Sequence, residues 1–464
     1  MKYVGKKVED IKIAYIGGGS QGWAWGLMSD LVAADDISGK VALYDINMEA
    51  AKKNVVIGTM YNNAEGAKSH WDYEATETLG EALTGADFVV ISITPATMKE
   101  MESDVHAPEK YGIYQSVGDT MGPGGVLRAM RCIPMIEEIA RGVEKYCPNA
   151  WVINYTNPMT VCVRTLYKTF PGIKAFGCCH EVFGTQKLLS AMLEDMHGIE
   201  GVPREDIHVE VTGVNHFTWL TAANYKDIDL FEEYKTFAEK YREEGFQKGK
   251  DDNWMNNIIG DCAHKVKFDL FLKYGYMAAA GDRHLAEFVN GKIYLENPDV
   301  VKSWLFGLTP VSWRYGMYDR RAKKSAAMIS GEEPVEIKQT GEDGVNQIRA
   351  LLGLHDMITN VNLPNRGQIA NLPMDVVVET NATFRTDKVT PVTAGPLPES
   401  IYPLIKRVVD EQENMVAAGM ERSLEKSFEV FVSDALTTIS REDAKVLFDE
   451  MVDNTKAYLG EYFK

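Results

Sequence analysis

Short apolar runs closed by turn residues alternate with amphipathic stretches along the first two hundred residues. Residues 11–16 (IKIAYI) run straight into Gly17-Gly18-Gly19-Ser20-Gln21-Gly22, and Trp25, Leu27, Met28, Leu31 and Val32 then repeat at helical spacing. Residues 40–45 (KVALYD) form an apolar run ending in an acid, and a helical pattern follows over 49–64. The same alternation continues as a strand at 86–94 (ADFVVISIT), a helix at 125–146 and a strand at 150–155 (AWVINY) that leads into Thr156-Asn157-Pro158. A strand at 173–178 and a helix at 186–196 complete it. Strands alternating with helices predict a doubly wound parallel sheet with crossover helices. From about residue 205 the texture changes to paired strands, 207–213 and 217–223, with Val214-Asn215-His216 between them. Helices are expected over 229–245, 256–276 and 398–425, and turns near 362–373 precede one clear strand at 375–380 (DVVVET). The pattern predicts an α/β unit over residues 1–200 and an α+β unit over 201–464.

Composition narrows the partners. The chain has 464 residues, 45% hydrophobic and 25% charged, with a net charge of −18. That field excludes nucleic acid and anionic membranes as expected partners. An anionic small molecule stays open, because a few local Arg or Lys residues outweigh a distant field. The N-terminal residues Met-Lys-Tyr-Val-Gly-Lys-Lys lack the apolar core of a signal peptide, and no run of about 18 uncharged apolar residues occurs. Six cysteines in so long a chain, two of them adjacent at 178 and 179, do not read as a disulfide framework. A reducing cytoplasm is the expected setting.

The spacing Gly17-x-Gly19-x-x-Gly22, with Ser20 inside it, follows a predicted strand and opens a predicted helix. Glycines there permit a tight turn and let backbone amides approach a pyrophosphate at the helix N-terminus. Asp45 ends the next strand, where a carboxylate accepts from a ribose 2′-hydroxyl and repels a 2′-phosphate. The arrangement points to NAD in preference to NADP.

A second constellation spans both units. Cys178-Cys179-His180-Glu181 follows one strand and Asn215-His216 follows another. A thiolate and an imidazole meeting from two strand ends hold a divalent transition metal with open coordination positions. By spacing alone, a buried cysteine and a satisfied core histidine account for the same residues.

Over nearly its whole length the chain resembles the family 4 glycoside hydrolases. The resemblance rests on Gly17–Gly22, on Gly118-Asp119-Thr120-Met121-Gly122-Pro123-Gly124-Gly125, and on Asn154-Tyr155-Thr156-Asn157-Pro158. Cys179-His180-Glu181-Val182, Gly213-Val214-Asn215-His216 and residues 362–379 (NLPNRGQIANLPMDVVVE) extend it. It implies a Rossmann-like NAD-binding domain followed by a lactate dehydrogenase-like α+β domain for substrate, metal and oligomer contacts. The implied cofactors are NAD and Mn²⁺ or another divalent transition metal, and the implied assembly is a homodimer or homotetramer. Such enzymes stand outside the two-carboxylate mechanism of most glycosidases. The implied route oxidises C3 of the sugar, removes the C2 proton, eliminates the aglycone, adds water and returns the hydride.

The resemblance also implies residue roles. Cys179 and His216 match the family's metal ligands, and Asn157 a contact to the sugar. His180 occupies the position where some relatives carry an aspartate as general acid. Gly281-Asp282-Arg283-His284 stands where relatives that cleave phosphosugars carry a tyrosine base, which makes Asp282 the first candidate for the base, with His284 and Tyr276 behind it; a helix-capping Asp282 is the plain alternative. The Cys-His-Glu-Val form and the Gly281–His284 segment resemble α-galacturonidases most, with α-glucosidases and α-galactosidases next. Arg283 and Arg128 are the candidate partners of a uronate carboxylate. A lactate/malate-type dehydrogenase is the competing class.

Overall fold

A computed structural model describes residues 1–248 and 262–464. In chain order its strands are β1 (Lys2–Val4), β2 (Lys7–Ile16), β3 (Ile37–Tyr44), β4 (Trp71–Ala75), β5 (Phe88–Ile91), β6 (Trp151–Asn154) and β7 (Lys174–Gly177). There follow β8 (His208–Val214), β9 (Phe217–Tyr225), β10 (Ile228–Asp229), β11 (Met277–Ala278), β12 (Met357–Pro364), β13 (Val377–Arg385) and β14 (Lys388–Pro391).

Ten strands form one sheet, ordered β14-β13-β12-β7-β6-β5-β2-β3-β4, with β1 added beside β2. From β7 to β4 neighbours are parallel. That order, reversing between β5 and β2, is the doubly wound arrangement whose ligands bind at the carboxyl ends of the strands. The predicted α/β class is therefore found. Helices cover both faces, so Ile11, Ile13, Ala14 and Val89 to Ile91 are buried, as parallel strands require.

The opposite edge is extended by chain from the second half. β12 runs antiparallel to β7, meeting it at Asn362 and Gly177, and pairs with β13 over eight positions. β8, β9, β10 and β11 make a separate antiparallel sheet.

The 25-residue helix Gly122–Tyr146 lies between two cores. Cys132, Ile136, Ala140 and Val143 pack toward Val89 and Ile91 under the large sheet. Met130 and Ile133 pack with Val408, Met415 and Val416 of helix Tyr402–Met420. A helix apolar on opposite faces is a buried helix. Within it, Arg131 forms an ion pair with Asp104 of helix Met98–His106, both side chains at most 2% exposed.

Several boundaries depart from the sequence pattern. The helix expected over 398–425 stops at Met420, and a second begins at Leu424. Arg422 between them has φ 56°, a left-handed conformation that cannot continue a helix. Residues 362–364, expected as turn, finish β12, because pairing with β13 and β7 decides their conformation. The helix expected over 256–276 is present as Lys265–Tyr274, and its first residues fall outside the described part. The 20-residue helix Val311–Ser330, not anticipated from the sequence, buries only Val311, Ser325 and Met328.

Candidate active site

The glycine loop leaves the carboxyl end of β2. Gly17 has φ 96°, and a Cβ there would stand 2.0 Å from the Ser92 carbonyl oxygen. Gly22, at φ 102°, is the N-cap of helix Trp23–Ala33, whose first turn holds no acidic side chain. Only glycine satisfies both positions, and the result is a backbone-lined cradle at a helix N-terminus. Asp45, just past β3, accepts from the Gly19 amide at 2.8 Å through one carboxylate oxygen and from the Asn47 amide at 2.8 Å through the other. Ser20 closes the turn with its amide on the Gly17 carbonyl at 2.9 Å. Beside Gly22 and Trp23, a cavity of about 310 Å³ is bounded by Tyr155, Arg321 and Glu342.

The chemistry concentrates where β5, β6 and β7 end and the β8–β9 hairpin turns. Asn215 and His216 form that two-residue turn, since Val214 pairs with Phe217. His216 has φ 62°, an uncommon conformation for a residue with a side chain. Its Nδ1 lies 3.1 Å from the Thr120 hydroxyl, and its ring stacks on His284 at 3.9 Å between centroids. Asp119, His216 and His284 bring ligand atoms within 4.8 Å of one another. Burial, then the adjacent His284, pushes His216 down to about 3, and burial lowers His284 as well. Both rings are thus neutral at neutral pH, the form that binds metal. Burial opposes ionisation of Asp119, and the guanidinium charges of Arg128 and Arg314 favour it, so that the carboxyl lies below its ordinary range.

Cys179 lies two residues past β7, half-buried and beside Asn215, and is not part of the cluster of Asp119, His216 and His284. Burial, with Glu379 and Glu181 nearby, raises its thiol well above the usual value. An adjacent cation reverses that preference and stabilises the thiolate. Glu379 organises this flank: its carboxylate accepts from Asn215, Asn360 and Asn362 at 3.1, 2.6 and 3.1 Å. Nothing in the linear pattern marks Glu379 beyond its place at the end of the 362–379 motif; it works through residues that lie 164 and 19 positions away.

Asn157 donates to Asp119 at 3.4 Å, and its own carbonyl accepts from Arg128 Nε at 2.9 Å. His180, whose side chain is 49% exposed, pairs with Glu342 at 3.1 Å and stacks on Trp23 at 6.0 Å. That hydrogen bond, against the effect of burial, raises the His180 pKa above its ordinary value. Glu181 accepts from the Gly281 amide at 2.7 Å and stands 3.6 Å from His284 Nε2.

The segment singled out for a base divides. His284 is in the site. Asp282 is fully buried, and its two oxygens accept from the Val266 and Lys267 amides at 3.1 and 3.2 Å, at the start of helix Lys265–Tyr274. It lies with Cys262 and His264 behind the site. Tyr276 packs beside Phe231, 6.0 Å between ring centroids. Arg283 donates to the Thr309 hydroxyl at 2.8 Å. Asp119, Glu181, Glu342 and Arg314 were not singled out from the sequence. The first two stand inside recognised motifs; the last two lie outside all of them, and no local pattern marks either.

Residues 12–195 match the family described as family 4 glycosyl hydrolase, and residues 211–437 match the C-terminal domain of that family. An α-galacturonidase of Thermoanaerobacterium saccharolyticum is 59% identical over 99% of this chain and 98% of its own. The crystal structure of the Bacillus subtilis protein lplD superposes with a TM-score of 0.91, at 50% identity, over 96% of this chain and all of that one, 100%. The 6-phospho-β-glucosidase from Thermotoga maritima, solved with manganese, NAD⁺ and glucose-6-phosphate, shares the fold at a TM-score of 0.77. It is 22% identical over 97% of this chain and 99% of its own.

Proposed function

This chain belongs to family 4 of the glycosyl hydrolases, and we propose that within it the protein is an NAD- and divalent-metal-dependent α-galacturonidase. The observation that carries the substrate is the 59% identity, over nearly the whole length, to an enzyme of that name. The residues present fit both cofactors. A side chain is excluded at Gly17, which leaves bare amides for a pyrophosphate. Beside His216 stand the Asp119 carboxylate and the His284 imidazole, and among the described residues the buried Asn157 Oδ1 has no hydrogen-bond partner. When bound, NAD supplies a reversible hydride acceptor and the ion, Mn²⁺ or another divalent metal, a Lewis acid for sugar hydroxyls.

The chain's own groups supply the rest. The Gly17–Gly22 loop and Asp45 hold the dinucleotide, and Cys179 and His216 hold the ion with Asp119 beside them. Asn157 binds a sugar hydroxyl. His180, whose pKa the hydrogen bond to Glu342 raises, donates a proton to the departing glycosidic oxygen. His284 takes the C2 proton: its ring is neutral and its Nδ1 is free, whereas both oxygens of Asp282 are engaged by backbone amides. The hydride that leaves C3 returns to it, so the net reaction is hydrolysis. The setting is a reducing cytoplasm, where Cys179 stays a thiol, and the assembly a homodimer or homotetramer.

Turnover in D₂O tests this route. Removal and return of the C2 proton should place deuterium at C2 of the released sugar, with little at C3. 4-Nitrophenyl α-galacturonide should be cleaved in preference to the α-galactoside and α-glucoside. Protium fully retained at C2, together with activity that ignores NAD⁺, would reject the mechanism.

A further inference from the structure

Three arginines converge on the Asp119 loop, from three helices: Arg128 from Gly122–Tyr146, Arg283 from Asp282–Glu287 and Arg314 from Val311–Ser330. Their hydrogen-bond partners are neutral. Arg128 Nε donates to the Asn157 carbonyl at 2.9 Å, Arg283 to the Thr309 hydroxyl at 2.8 Å, and Arg314 to the Val117 carbonyl at 2.5 Å. Arg314 Nε is buried without a partner among the described residues. An orphaned donor on a buried guanidinium is costly and calls for an acceptor that arrives from outside.

The local charges do not balance. A guanidinium stays protonated at any ordinary pH, so the three contribute three positive charges. Asp119 contributes one negative charge. The nearby Glu287 contributes none at neutral pH. Its Oε1 accepts from the Val117 and Gly118 amides at 2.7 and 2.9 Å, its Oε2 is buried without a partner among the described residues, and burial raises its pKa to about 8. A divalent ion at His216 adds further positive charge. The excess sits one residue from the sugar contact, since Asn157 joins Arg128 to Asp119.

We infer that Arg314, acting with Arg128 and Arg283, forms the subsite that binds the C6 carboxylate of the glycone. The inference rests on the α-galacturonidase reading and adds Arg314 as its specificity-determining residue. A planar guanidinium edge matches a carboxylate in two parallel hydrogen bonds. Arg314 already spends one nitrogen on Val117, which orients the fork and leaves Nε for the ligand. Anchoring the carboxylate there fixes the ring so that C2 and C3 face the His216 side.

The experiment compares kcat/KM of the holoenzyme, with NAD⁺, Mn²⁺ and thiol present, on 4-nitrophenyl α-galacturonide, α-galactoside and 6-phospho-α-galactoside. R314Q should lower the galacturonide value by roughly ten- to a hundredfold, the worth of one charge-assisted hydrogen bond, and leave the galactoside within a few-fold. R314K, which keeps the charge and loses the fork, should fall between, and NAD⁺ affinity should be unchanged in both. An equal loss on galacturonide and galactoside, or no loss on either, would overturn the subsite while the α-galacturonidase reading stands. A wild-type preference for the 6-phosphoglycoside would reassign the arginines to phosphate. A wild-type preference for the neutral galactoside would remove both readings. If R314Q does not fold, the same comparison on R314K decides: equal effects on both glycosides overturn the proposal.

Discussion

At the scale of single residues, the site is a set of groups whose protonation states are set by their neighbours. Burial lowers the pKa of His216 and of the stacked His284, and the hydrogen bond to Glu342 raises that of His180. A general acid must carry its proton at working pH, so raising the His180 pKa extends activity toward alkaline pH. Glu342→Gln removes the charged acceptor and lowers that pKa. The alkaline limb of the kcat/KM profile should then move to lower pH, with the acid limb unmoved. A profile superimposable on the wild type would take His180 out of the acid role.

At the scale of elements, the site depends on how helix Gly122–Tyr146 is seated. Its N-terminus follows the Asp119 loop, Arg128 reaches Asn157 from its second turn, and Arg131 is tied to Asp104 on a neighbouring helix. The pair is nearly inaccessible, so breaking it leaves an uncompensated buried charge. Asp104→Asn should cost about 3–5 kcal/mol, visible as a lower urea midpoint. Replacing both partners by apolar residues of similar volume should cost less. Equal losses in the single and double variants would mean that packing, not charge, dominates there.

At the scale of the whole molecule, the proposed metal site would join the two halves of the chain. Cys179 lies two residues past β7 of the parallel sheet, and His216 turns the β8–β9 hairpin. Glu379, on β13, braces Asn215 from a strand that extends the same sheet as Cys179. Chelation should therefore reduce turnover by roughly a hundredfold or more, with Mn²⁺ restoring it, while Cys179→Ser should not be rescued at ordinary metal levels. Metal content measured on the purified variant should fall in parallel. Full activity in metal-free enzyme would contradict the assignment. No helix among the described residues is long and apolar enough to cross a membrane.

The sequence by itself determined what is local. Apolar runs and helical spacing marked five strands and four helices between 11 and 196, because an apolar run beside a glycine turn has few other uses in a buried sheet, while β4 and the helices Leu79–Leu83, Met98–His106 and Met159–Thr169 went unmarked. The same reasoning marked the glycine loop and Asp45, which meet 26 positions apart through the Gly19 amide. Tertiary structure decided the rest. β12 and its neighbours join the first-half sheet through pairing partners more than 180 positions away, which no local preference specifies. The grouping of Asp119 with His216 and His284, and the approach of Arg314 to Val117, span 97, 165 and 197 positions. Asp282 and His284 show the limit most plainly. They stand two residues apart on one short helix, yet one caps a neighbouring helix and the other stacks on His216. Side chains two apart on a helix point about 200° apart, and only the packing around them decides which direction is the site.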